Sequence, residues 1–162
     1  MATNYVKALQ IVLADTYTLY LKTQNYHWNV EGERFKSLHE LFELQYTELA
    51  AAVDEIAERI RALGEKVDGT YEGFAKLRTL DEAKMDISDV EMVQDLFESN
   101  KQVVESLKKA RQVAEDADDQ VTVDMAIGRT AVHEKAAWML RSSLPEAFRK
   151  KADSAASYQD VA

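Results

Sequence analysis

The chain has 162 residues, 46% of them apolar, with one proline, five glycines and no cysteine. That length supports a single domain with a full core, and so few turn residues favour a helical bundle over an all-β fold. The missing cysteines exclude disulfides, thiolate chemistry and cysteine-based zinc sites, and a formal net charge of −9 argues against nucleic acid as the main partner, because DNA affinity comes from neutralised phosphates.

The first periodic segment runs from about Asn4 to Val30, with Tyr5, Leu9, Val12, Leu13, Thr16 and Tyr20 at helical spacing. Glu31-Gly32-Glu33 reads as a short turn, and a second helix spans about Phe35 to Leu63, stopped by Gly64. Its apolar stripe includes Leu38, Phe42, Leu49, Ile56 and Ile60. A long crossover covers residues 64–87, where Thr79-Leu80-Asp81-Glu82 has the pattern of a capping box and predicts a short extra helix. Ser88 to Glu91 forms a second capping box, opening a third long helix that reaches roughly Ala117. A fourth runs from about Val121 to Ser142 and is ended by Pro145. Four helices with one long connection between the second and third describe an all-α, ferritin-like bundle. It is read as one domain over residues 1–162, with residues 1–4 and about 150–162 as short tails. No run of about 18 apolar residues predicts a membrane span, and Met1 to Asn4 lacks a signal-peptide layout, so the expected location is the cytoplasm.

The second helix carries His39, Glu43, Asp54 and Glu58 on one face, within an arc of roughly 100° at about 100° per residue. This arc points away from the apolar stripe, and no Glu-x-x-His motif is present, so a di-iron site inside one bundle is not expected. A solvated face is the plain reading of such an arc. The other reading begins from spacing: Glu43 and Asp54 lie about 16 Å apart along the helix axis, too far for one metal ion. Two copies packed antiparallel about a two-fold axis near residue 48 or 49 would bring the His39/Glu43 end of one to the Asp54/Glu58 end of the other. His27, just before the turn, should lie level with His39; it also shares the angular position of Leu9 and Tyr20, as a core histidine would. Imidazole and carboxylate ligands suit iron, with zinc, cobalt or manganese also accommodated.

Asn25-Tyr26-His27-Trp28-Asn29-Val30-Glu31-Gly32, Leu38-His39-Glu40 and Asp54-Glu55-Ile56-Ala57-Glu58-Arg59 resemble the signature of the Dps family of miniferritins. His133-Glu134-Lys135-Ala136-Ala137-Trp138 is similar to that family's last long helix. The resemblance implies a dodecameric shell that oxidises Fe²⁺ at inter-subunit sites, usually with hydrogen peroxide, and stores ferric mineral inside. Carried over by position, His27, His39, Asp54 and Glu58 match the metal ligands. Glu43 stands where Asp is common, and Trp28 matches the aromatic residue beside the site. Asp119 and Asp124 resemble the acidic lining of the iron-entry pores, although an aspartate here also suits a helix cap. Glu43 favours an alternative, a non-catalytic or DNA-compacting shell with a degenerate site. The basic cluster Arg149-Lys150-Lys151 is short and followed by Asp153 and Asp160, so DNA binding is expected to be weak or absent.

Overall fold

The structure is a computed structural model that describes residues 4–150. Of the tails expected at residues 1–4 and about 150–162, Asn4 and Lys150 are helical, and the rest, with Lys151, Asp153 and Asp160, lie outside the described residues. Five helices follow in order: α1 (Asn4–Asn29), α2 (Phe35–Ala62), α3 (Tyr71–Leu77), α4 (Asp89–Asp116) and α5 (Gln120–Ser142). A further helical turn starts at residue 146, after Pro145. The four long helices agree with the expected bundle, and the long crossover joins α2 to α4.

Local chemistry explains the ends. At Gly32 φ is +103° and at Gly64 it is +89°, conformations that cost glycine little. Gly64 closes α2 as a Schellman motif, with Gly64 N–H donating to Arg61 O at 3.0 Å and Glu65 N–H to Ile60 O at 3.3 Å. Ser88 and Glu91 form the predicted capping box of α4: Glu91 N–H donates to Ser88 Oγ at 3.3 Å, and Ser88 N–H to Glu91 Oε2 at 2.8 Å. Those bonds from Ser88 hold the Glu91 carboxyl below its ordinary pKa.

The crossover corrects one expectation. Its short helix is α3, capped by Thr70, whose hydroxyl accepts from Gly73 N–H at 3.0 Å; residues 79–82 are not helical. The Thr79 hydroxyl bonds to distant residues instead, donating to Asp15 Oδ2 at 2.9 Å and accepting from Gln102 Nε2 at 3.2 Å. Asp15, fully buried on α1, also accepts from Thr79 N–H at 2.6 Å, Leu80 N–H at 3.2 Å and Ser106 Oγ at 2.7 Å. A carboxylate accepts several bonds and donates none, so it suits four donors. A second anchor lies farther along: Tyr26 Oη donates to Asp95 at 2.6 Å and accepts from Lys84 N–H at 2.9 Å. Lys22 completes it, 3.1 Å from the Asp95 carboxylate. Burial and the Asp95 hydrogen bond push the Tyr26 phenol well above its ordinary pKa.

α1 packs against α2, α3 and α4, while α5 lies along α4 and touches α2. Leu9, Leu19, Phe42, Ile56, Leu96 and Leu107 are fully buried where these elements meet. Burying such side chains contributes about 1.5–3 kcal/mol each, and it fixes the rotation of α2. With Phe42 and Ile56 held inward, Glu43, Asp54 and Glu58 are left exposed.

Candidate metal centre

The α1–α2 hairpin brings His27 and His39 face to face, with ring centroids 3.7 Å apart and planes inclined by 19°. Each ring bonds to the other residue's backbone: His27 Nδ1–H donates to His39 O at 2.8 Å, and His39 Nδ1–H donates to His27 O at 2.8 Å. A carbonyl oxygen only accepts, so each Nδ1 carries a proton, which leaves Nε2 as the atom of each ring that can offer a lone pair to a metal. Fixing a histidine tautomer through its second nitrogen is how proteins prepare metal ligands. His27 is buried and His39 half-buried. The two descriptions of His27 therefore hold together: it is a packed histidine, hydrogen-bonded through one nitrogen only.

Two aromatic rings flank the pair. Tyr46 meets His27 edge-on at 5.1 Å, and Phe35 lies 5.0 Å from His39. Neither contact was read from the sequence as part of the site. Tyr46 lies seven residues after His39, two helical turns on, which was the available signal.

Glu43 is exposed, one turn from His39, and Asp54 and Glu58 are exposed farther along α2. Among the described residues, no three His, Asp or Glu side chains converge closely enough to hold a metal ion. The structure thus joins His27 to His39 and leaves Asp54 and Glu58 apart from them within one subunit. Trp28 is 64% exposed, and Trp138, Leu44 and Val121 are similarly open, at 60%, 61% and 61%.

Asp119 caps α5, accepting from Thr122 N–H at 3.2 Å, and pairs with Arg59 at 2.6 Å. Burial pushes its carboxyl upward, but the bonds from Arg59 and Thr122 outweigh that and hold it below the ordinary carboxylate pKa. Asp119 is therefore a half-buried, neutralised cap, whereas Asp124 is exposed on α5 beside a groove that includes Glu55 and Glu58.

A separate polar cluster crosses the bundle between α2, α4 and α5. Arg129 pairs with Glu48, its Nη2 lying 3.0 Å from Glu48 Oε2, and His133 Nδ1 lies 2.9 Å from Asn100 Oδ1. Arg129 Nη2 lies 3.3 Å from His133 Nε2, so Nε2 accepts and Nδ1–H donates to Asn100. Burial, followed by the Arg129 charge, lowers the His133 pKa to about 3. His133 is thus a neutral core histidine, remote from His27 and His39 in its contacts.

The ferritin-like domain family model matches residues 6–147. DNA protection during starvation protein 2 of Bacillus anthracis is 37% identical over 144 residues, covering 89% of this chain and 99% of that protein. Among solved structures, Staphylococcus aureus Dps superposes with a TM-score of 0.84 at 36% identity, covering 88% of this chain and 95% of that one. A Vibrio cholerae Dps, described as one of a broad superfamily of ferritin-like diiron-carboxylate proteins, gives 0.82 at 29% identity, covering 85% and 87%.

Proposed function

The chain belongs to the Dps family of ferritin-like proteins, and from that premise we propose that it stores and detoxifies iron, oxidising Fe²⁺ at sites shared by two subunits. The observation that carries this reading is the reciprocal His27–His39 pair, with Nε2 of each ring left as the atom that can offer a lone pair. Asp54 and Glu58 stand on the same exposed face of α2, eleven and fifteen residues beyond Glu43. An antiparallel pairing of two α2 helices, centred near residue 48 or 49, supplies the missing half from the second copy. Each dimer then contains two identical sites, with His27, His39 and Glu43 from one subunit and Asp54 and Glu58 from the other. Trp28 lies at the rim of the site, packed by the neighbouring subunit.

Fe²⁺ is the substrate and hydrogen peroxide the preferred oxidant. Two Fe²⁺ each give one electron; peroxide takes both with two protons, its O–O bond breaks, and two waters form. Delivering the electrons as a pair avoids hydroxyl radical. The protein holds the ions with nitrogen and oxygen ligands and provides the negative charge that favours Fe³⁺. Glu43 has one methylene more than Asp, long enough to reach the ion directly or through a water. Ferric product collects in the cavity of a dodecameric shell, and the exposed Asp124 carboxylates draw Fe²⁺ toward the pores.

The test mixes anaerobic protein with Fe²⁺, adds peroxide, follows oxidation and then sizes the product. Rapid oxidation, ferric iron co-eluting with a shell, and loss of the fast phase in His39→Ala are expected. Oxidation at the buffer rate by wild-type shells would overturn the catalytic reading.

A further inference from the structure

We propose that Tyr46, Tyr20, Tyr17 and Tyr71 form a one-electron path that carries oxidising equivalents from the candidate metal centre to the protein surface. The path rests on the iron-oxidation reading above. Its geometry is a connected series of rings spanning three helices. Tyr46 on α2 meets His27 at 5.1 Å and Tyr20 on α1 at 6.2 Å. Tyr20 lies 5.7 Å from Tyr17, one turn back along α1, and Tyr17 stacks on Phe74 of α3 at 4.6 Å. Tyr71, one turn before Phe74, neighbours the Tyr17 hydroxyl and is 77% exposed. Burial, then the Tyr71 and Tyr20 phenols, push the Tyr17 phenol above its ordinary pKa. An open cleft lined by Tyr17, Tyr71 and Phe74 ends the series, where a small reductant has access.

Aromatic pairs at these separations are also good packing. Packing alone would be served equally by phenylalanine; what the hydroxyl adds is a proton that leaves with an electron. Tyr46, Tyr20 and Tyr17 are all half-buried, none sealed in the core away from water that could take up the proton.

The path matters when a site holds a single Fe²⁺. Peroxide still requires two electrons to become two waters. Fe²⁺ supplies one and becomes Fe³⁺. Tyr46 supplies the other together with its phenol proton; one further proton comes from water, the O–O bond breaks, and a neutral Tyr46 phenoxyl radical remains. Tyr20 then gives an electron to Tyr46, which regains a proton from water while Tyr20 releases its own to water and becomes the radical, and the same exchange repeats at Tyr17 and Tyr71. A thiol-class reductant in solution restores Tyr71 by donating a hydrogen atom. Without such a second donor, one-electron reduction of peroxide at a half-filled site would release hydroxyl radical.

The experiment loads assembled protein with less than one Fe²⁺ per site, adds peroxide and freeze-quenches for electron paramagnetic resonance. A parallel sample contains a nitroso spin trap, and adducts are located by peptide mass spectrometry. Wild type is expected to show a phenoxyl signal and an adduct at Tyr71. Tyr20→Phe should keep the radical at Tyr46 and lose the Tyr71 adduct, with iron oxidation at full loading unchanged. Tyr71→Phe should lose the adduct and keep the phenoxyl signal, with the same fold by circular dichroism. An undiminished Tyr71 adduct in Tyr20→Phe would overturn the path, because the oxidant would then have reached Tyr71 through solvent. Fast iron oxidation by wild type with no phenoxyl signal would overturn the path and leave the functional reading standing. Wild-type oxidation at the buffer rate would overturn both.

Discussion

Asp15 is one of two anchors that tie the crossover to the bundle, and its replacement separates two kinds of loss. Asp15→Ala removes the acceptor for Leu80 N–H and for Ser106 Oγ, both in the interior. Leaving a buried donor unpaired costs about 1–3 kcal/mol, so the pair predicts on the order of 4 kcal/mol. The two Thr79 donors add little, because Thr79 is exposed and water replaces the carboxylate. Asp15→Asn behaves differently. Its Oδ1 still accepts from Thr79 N–H and Leu80 N–H, while its amide faces the Thr79 and Ser106 hydroxyls, which rotate to accept. Only the charge assistance is lost, about 1 kcal/mol. With a urea slope of about 2 kcal/mol/M, the midpoint should fall by about 2 M for Ala and about 0.5 M for Asn. Both are measured on assembled protein at matched concentration, since assembly contributes to apparent stability. Hydrogen exchange at Leu80 should accelerate in the Ala variant alone. Equal shifts for the two variants, or an Ala shift below that of Asn, would refute the hydrogen-bond reasoning.

Three further outcomes follow from the same structure. His133 stays neutral in the fold down to about pH 3, whereas the unfolded chain protonates near 6.5, so its contribution is complete above pH 6.5 and shrinks as pH falls toward 3. The total is on the order of 5 kcal/mol; His133→Gln, with its amide bonded to Asn100, should flatten the acid limb of a stability–pH curve, and an unchanged limb would contradict this. Arg59→Ala should cost about 1–3 kcal/mol by stranding the half-buried Asp119, read by urea unfolding at neutral pH. Its depressed carboxyl contributes stability above the unfolded pKa that is lost on acidification, so wild type and variant should converge in acid. Against DNA, a chain of net charge −9 is expected to give no shifted band at physiological salt, and one that persists as salt rises would count against the charge argument.

The helical period and the caps carried most of the fold. Gly64 and the Ser88–Glu91 box mark real boundaries because the bonds that define them are local in sequence. The Thr79–Glu82 pattern failed for the opposite reason: its hydroxyl is claimed by Asp15, sixty-four residues away, and no local pattern reports that. At the site, the hairpin turn made it legible that His27 and His39 are level. The reciprocal tautomer-fixing bonds were not, because they depend on ring rotation. Asp119 offered two readings in sequence; the cap is local, through Thr122 N–H, whereas the Arg59 ion pair beside it is long-range and left no sequence signal. Tyr46 lies two turns beyond His39 on α2, yet its contact with His27 depends on how α1 and α2 pack.

The central claim, that each site takes residues from two subunits, is tested most directly by mixing two inactive variants. His39→Ala and Asp54→Ala subunits are co-expressed with different tags, the doubly tagged shells are purified, and Fe²⁺ oxidation by peroxide is compared with each variant alone. In a mixed dimer one site receives both defects and the other receives neither, so random pairing should restore about a quarter of the wild-type sites. Mixed shells no more active than either parent would contradict the two-subunit site.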